Sequence, residues 1–342
     1  MLQRVMGRPV HVLIVLALAV CATPLLAAAN CKLMQIGEWR VKPHSGRLIV
    51  DGEINGQKIG VLLDTGAQNS VILRAAADRL GLTRQTAPGY RAYGVGGETY
   101  VEYTVLDEMK LGQAARRNWR VLVLGERELG QDHALLLGYD FFQQVDIEFD
   151  LPNDTVRLFQ AEDCGNVSLA YWARGTADVI SLAIDNEKPG ILVPVKLNDR
   201  ALLAELDSGA SRSVVSRLVA AQIGVTPDTP ATRAIGASGG VGAGRPEQWI
   251  GAFQSFVIGG EIIRNPEIRF TDLTIASTQT GSRIAVREDL RDILLGLDFL
   301  RAHRVYVAHS QGRLYFTYSG GPVFSVPPPQ PPVPAPAAKP GG

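Results

Sequence analysis

A chain of 342 residues with 34 Lys and Arg against 34 Asp and Glu is electrically balanced, which excludes a phosphate-collecting surface and a charged docking tail. Hydrophobic residues at 46% suffice for a globular core, while few aromatics (7%) and many glycines (36) favour turns over long helices. Three cysteines are too few for a disulfide scaffold and too scattered for a structural zinc site.

The first element is an address. Arg4 and Arg8 precede the apolar run Val10 to Val20, and Pro24 leads into Ala27-Ala28-Ala29 before Asn30. Small residues at Ala27 and Ala29 fit a signal-peptidase site, so residues 1–29 read as a signal peptide; an uncleaved anchor is the alternative. Either way the remainder is expected in the periplasm or secreted. Export would remove Cys21 and leave Cys31 and Cys164, which an oxidising compartment lets pair as a clasp on the first domain; two free thiols are the alternative.

The body of the chain repeats itself. Residues 54–66 and 197–209 each give an apolar strand, a two-residue turn (Asn55-Gly56, Asn198-Asp199), a second strand and then Asp-Thr-Gly or Asp-Ser-Gly. Ser70-Val71-Ile72 matches Ser213-Val214-Val215, each with a short helical pattern after it. Glycine-rich turns follow at Tyr93-Gly94-Val95-Gly96-Gly97 and at Gly236-Ala237-Ser238-Gly239-Gly240. Leu136-Leu137-Gly138-Tyr139-Asp140 mirrors Leu294-Leu295-Gly296-Leu297-Asp298, and a terminal hairpin turns at Asn153-Asp154 or Gln311-Gly312. These divisions predict an all-β chain of two similar lobes, 30–162 and 177–319, with a linker at 163–176 and a Pro/Ala-rich tail at 320–342.

One Asp-Thr/Ser-Gly triplet is an ordinary turn; two at equivalent places in a repeat are not. Gly66 and Gly209 let the backbone turn sharply and approach a partner closely. Asp64 and Asp207, at the ends of buried strands, suit paired acid–base work: two close carboxylates cannot both ionise, so they share a proton. One takes a proton from water and the other donates to the developing oxyanion, while the Thr65 and Ser208 hydroxyls can cross-link the turns.

On Asp64-Thr65-Gly66-Ala67, Asp207-Ser208-Gly209-Ala210, Leu137-Gly138 and Leu295-Gly296, the chain resembles the retropepsin-like aspartyl proteases, in a tandem form known among exported bacterial proteins. The resemblance spans most of residues 31–319. It implies a pseudo-two-fold dimer within one chain, each lobe supplying one catalytic Asp. Tyr93, Gly94, Val95 and Gly96, with Gly236, Ala237, Ser238 and Gly239, would then form flaps over an extended polypeptide substrate. No cofactor, metal or nucleic acid is implied. A catalytically silent peptide-binding module and pairing of halves across a homodimer are the alternatives.

Glu205 departs from the pattern, since the first half has Leu62 there; it is expected to point outward or to mark a less buried face. Ala67 and Ala210 carry no hydroxyl to depress the carboxyl pKa values, so a mildly acidic optimum is expected. Gly236-Ala237-Ser238-Gly239-Gly240 matches a serine-hydrolase elbow in letters only, because the glycines after it cannot start a helix. His44, His133, His303 and His309 lack metal-ligand spacing and are expected on the surface or in loops.

Overall fold

The computed structural model describes residues 30–44, 46–125, 132–237, 239–240, 242, 244–277, 286–289 and 291–324. The leader (1–29), Cys21, the tail from 325 and Ser238 lie outside the described residues. The fold is mainly β, in two similar domains.

Each half is built on the predicted hairpin. Arg47–Ile54 pairs with Gln57–Leu63 through a turn in which Asn55 and Gly56 have φ of 50° and 78°. In the second half Leu192–Leu197 pairs with Arg200–Leu206 through Asn198 and Asp199, at 48° and 62°. Both turns need the left-handed backbone that Asn, Asp and Gly tolerate best.

The second hairpin strand then meets a short strand from far along the chain. Gln57–Leu63 runs parallel to Leu135–Leu137, which is antiparallel to Val71–Leu73. Arg200–Leu206 runs parallel to Ile293–Leu295, which is antiparallel to Val214–Ser216. These central strands are almost wholly apolar and buried on both faces, so their ends are fixed points on which a side chain can be held. Short helices follow at Arg74–Arg79 and Arg217–Gln222.

A third sheet joins the halves. Lys32–Arg40, Thr155–Glu162 and Asp146–Asp150 come from the first half, and His303–Ala308, Arg313–Tyr318 and Asp178–Ser181 from the second. The seam is antiparallel, with Ile147 opposite Val307 and Phe149 opposite Val305. Strand alternation puts Ile147 and Phe149 into the core and sends Asp146, Glu148 and Asp150 to the other face. Glu148 is buried there but well partnered: Arg304 Nε donates to it at 2.7 Å, Arg157 Nη1 at 2.9 Å and the Tyr171 hydroxyl at 2.8 Å. Arg304 belongs to the second half, so the network links the two halves beyond the ladder itself.

The segment 163–176, expected as a linker, is packed. Leu169 and Ala170 are buried with Phe159, Tyr306 and Tyr315 on the joining sheet, and Trp172 Nε1 donates to Thr317 Oγ1 at 2.9 Å. Cys31 and Cys164 form a disulfide, their Cα atoms 4.5 Å apart, just outside the register pair Lys32–Glu162. Of the histidines, His133 lies in a loop as expected, though buried, and His303 does not. His133 is buried beside Asp132, its Nδ1 2.8 Å from Oδ1. His303 is a fully buried strand residue between the Phe299 carbonyl and Glu261 Oε2, 2.8 Å from each. Polar partners at both ring nitrogens of His303 offset the cost of its burial, where composition suggested exposure.

Candidate active site

The two Asp-Thr/Ser-Gly turns meet between the halves. Asp64 leaves the end of Gln57–Leu63 with its amide on the Leu137 carbonyl (2.9 Å); Asp207 leaves Arg200–Leu206 with its amide on the Leu295 carbonyl (3.0 Å). The hydroxyls then interlock. Thr65 Oγ1 donates to the Leu206 carbonyl (2.6 Å) and accepts from the Ser208 amide (3.0 Å). Ser208 Oγ donates to the Leu63 carbonyl (2.8 Å) and accepts from the Thr65 amide (3.0 Å). Four reciprocal hydrogen bonds, all buried, fix one turn against the other.

The glycines explain how close the carboxylates come. A Cβ on Gly66 would lie 2.4 Å from Asp207 Cγ, and one on Gly209 would lie 2.4 Å from Asp64 Cγ. Each carboxylate therefore sits over the glycine of the opposite turn, in space that only glycine leaves. Backbone amides hold them: Ala67 donates to Asp64 Oδ1 (3.0 Å), and Gly209 and Ala210 donate to Asp207 Oδ1 (2.8 and 3.0 Å).

Both carboxyls titrate above the ordinary aspartate value. Burial is the largest cause at Asp64, followed by the Asp207 charge, with the Gly66 and Ala67 amides pulling the other way. Burial also leads at Asp207, where the Ala210 and Gly209 amides oppose it. A pair so placed keeps one proton between its members across a wide pH range.

A second layer repeats as faithfully and was not assigned a role from sequence. Ser70 Oγ donates to Asp140 Oδ1 (2.7 Å) and accepts from the Gly138 amide (3.0 Å). Ser213 Oγ donates to Asp298 Oδ1 (2.6 Å) and accepts from the Gly296 amide (3.0 Å). These ties pin each Asp-bearing turn to the strand that crosses behind it. Their signal lay in the repeated Ser and in the Asp two residues after Gly138 and Gly296. Burial raises the Asp298 carboxyl, while hydrogen bonds from Ser213 act against that.

The glycine-rich turns are hairpin tips that touch. Gln85–Gly94 pairs with Gly97–Leu111, and Arg233–Ala237 with Glu247–Ala252. The Gly240 amide donates to the Val95 carbonyl (2.9 Å) and the Gly244 amide to the Gly96 carbonyl (2.6 Å). Val95 reaches into the second half and packs on Val214, Leu273 and Leu294. Gly94 lies at the end of its strand, opposite Gly97. Tyr93 shares the outer hairpin face with Arg91, Glu98 and the exposed Tyr100, turned away from buried Thr99. Gly236 and Ala237 end the first strand of the second hairpin, and Gly239 lies beyond that strand; all three are exposed.

The expectation for Glu205 is corrected. It neither points outward nor marks an open face; it is 5% exposed and paired with Arg291, Nε to Oε2 2.7 Å. Alternation along the strand still holds, but both faces here are covered.

The profile of the aspartyl protease family matches residues 50–141 and again 193–299, which is more than half of the chain. The chain belongs to the aspartyl protease family. This aspartyl protease carries the family unit twice in tandem, and each match contains one Asp-Thr/Ser-Gly turn. Among solved structures it is similar to an aspartic proteinase from Irpex lacteus, at 10% identity over 82% of this chain and 97% of that one, TM-score 0.47. It is also similar to a retropepsin-like aspartic protease from Rickettsia conorii, at 18% identity over 39% of this chain and 95% of that one, TM-score 0.26. No curated protein sequence matches it. Among the described residues no group of three or more His, Cys, Asp or Glu is placed to hold a metal ion, and no helix is long and apolar enough to cross a membrane.

Proposed function

We propose that this aspartyl protease is an endopeptidase in which Asp64 and Asp207, one from each lobe, activate a water molecule for attack on a peptide carbonyl. The observation that carries the reading is the reciprocal seating of each carboxylate over the opposite glycine, with both carboxyls raised. The ionised member accepts a proton from water as its oxygen attacks the carbonyl carbon. The protonated member donates to the carbonyl oxygen as it becomes an oxyanion. Collapse of the tetrahedral intermediate breaks the C–N bond, and a proton passes to the leaving amine.

The substrate is an extended polypeptide laid beneath the two hairpin tips, where main-chain groups can add to strand edges. Cleavage peaks in mildly acidic buffer: the raised carboxyls keep their shared proton there, and Ala67 and Ala210 bring no hydroxyl to lower them. The chain acts as a monomeric pseudo-dimer outside the cytoplasm, and the Cys31–Cys164 disulfide supports an oxidising compartment.

The test is cleavage of an extended peptide library from pH 3 to pH 8 by the wild type, Asp64→Asn and Asp207→Asn. Either substitution is expected to lower kcat by at least about 10³-fold, since it removes half of the acid–base pair. Equal cleavage by either variant would sink the mechanism; absence of cleavage by the wild type throughout would sink the activity.

A further inference from the structure

The two halves differ most, close to the dyad, at the residue two before each aspartate. Leu62 fills that place in the first half and Glu205 in the second. Glu205 is enclosed on every side. Arg291 Nε donates to its Oε2 at 2.7 Å, and the same guanidinium reaches Asp185 Oδ2 at 3.3 Å and the Lys188 carbonyl. A Cβ on Gly190 would lie 2.3 Å from Glu205 Oε1, so the carboxylate occupies space left by a missing side chain. Arg291 side-chain exposure is only 10%.

A buried ion pair is a poor way to gain stability, because desolvation of both charges offsets their attraction; a well-packed leucine, as at Leu62, does at least as well. Its position suggests another use. Glu205 lies on the strand that ends in Asp207, and its charge acts on Asp64 across the interface, raising that carboxyl further. The groups that act on it are few: Arg291 and Asp185 on one side, Asp207 on its own strand, and Asp64 and Tyr139 from the opposite half. Lys188 contributes its carbonyl to Arg291. Burial pushes the Glu205 carboxyl up to about 7, against the pull of Arg291.

We propose that Glu205, with Arg291 as its fixed counter-ion, is a positioning residue of the dyad: its buried charge sets the pH at which Asp64 and Asp207 give up their shared proton. This rests on the reading of those two residues as the acid–base pair. A negative Glu205 resists further ionisation of the dyad and so extends the protonated form to higher pH. The first half has no such residue, which makes the control one-sided. Arg291 also stands at the foot of a two-stranded arm, Thr274–Ser277 with Val286–Asp289, that lies against the first flap strand Gly97–Leu111.

The pH profile of kcat/KM for Glu205→Gln, Glu205→Leu and Arg291→Gln tests this. Loss of the negative charge in either Glu205 variant is expected to move the alkaline limb about half a pH unit lower. In Arg291→Gln the pull that holds the Glu205 carboxyl down is gone, so Glu205 stays protonated and the limb is expected to move lower as well. A purely structural pair would lower melting temperature in all three and leave the limb in place, which would overturn the proposal. A second measurement needs no turnover: the pH titration of 13C-labelled Asp carboxyl carbons in the same proteins. Displacements to lower pH there support the inference even if the wild type cleaves nothing, a result that would count against the proposed function alone. Titrations that coincide with wild type in every variant would end it.

Discussion

Thr65 and Ser208 do more than decorate the two Asp-bearing turns. Each hydroxyl both donates and accepts across the interface, so truncating one leaves a buried carbonyl and a buried amide without partners. Thr65→Val, which keeps the shape, should therefore destabilise by about 2–4 kcal/mol, read from urea denaturation. The dyad carries a pH signature of its own. Folding raises both carboxyls, so the stability present below the unfolded aspartate value of about 4 is lost as pH rises through the folded-state values. Asp64→Asn removes that titration; its melting temperature should gain on wild type steadily from pH 4 towards neutrality, and a constant difference would contradict this. At this scale the sequence was informative about Asp64, Thr65, Gly66 and their repeats, because a close pair of carboxylates dictates its own neighbours. It misread Glu205 as outward or on a less buried face: alternation predicts which face a residue takes, not whether a distant Arg291 covers that face.

The two hairpins with glycine-rich tips are elements whose tips were legible and whose contacts were not. Asn-Gly and glycine runs announce turns locally, whereas the meeting of Val95 and Gly96 with Gly240 and Gly244 joins segments about 145 residues apart. The tips approach so closely that a Cβ on Gly96, which has φ of 96°, would lie 2.5 Å from the Gly244 carbonyl oxygen. Gly96→Ala should therefore part the tips. On the proposed mechanism this raises KM by about 10-fold or more with a smaller change in kcat, since substrate enclosure is lost before chemistry. The hydroxyl ties Ser70–Asp140 and Ser213–Asp298 escaped assignment for a similar reason: the partners lie 70 and 85 residues apart, with only the repeat to connect them.

The whole molecule is two copies of one unit joined by a shared sheet, with a disulfide clasping the ends of the first. The bridge closes a separation of 133 residues, so replacing Cys31 and Cys164 by Ser should cost about 3–5 kcal/mol, measured as a lower denaturation midpoint in unreduced samples. Two lobes were evident from the repeat, but the joining sheet was not, since pairing of Asp146–Asp150 with His303–Ala308 leaves no local pattern. That the segment 163–176 is packed where it passes between the halves also depends on this sheet, whose aromatic face it covers. One consequence concerns direction. A peptide runs from amino to carboxyl end, and a perfectly symmetric cleft would receive it equally well either way round. Here Val95 crosses to lie on Val214, Leu273 and Leu294, while the opposing tip offers glycine amides. On the proposed function, the two ends of a bound strand would meet unlike walls, so the cleft would distinguish a sequence from its reverse.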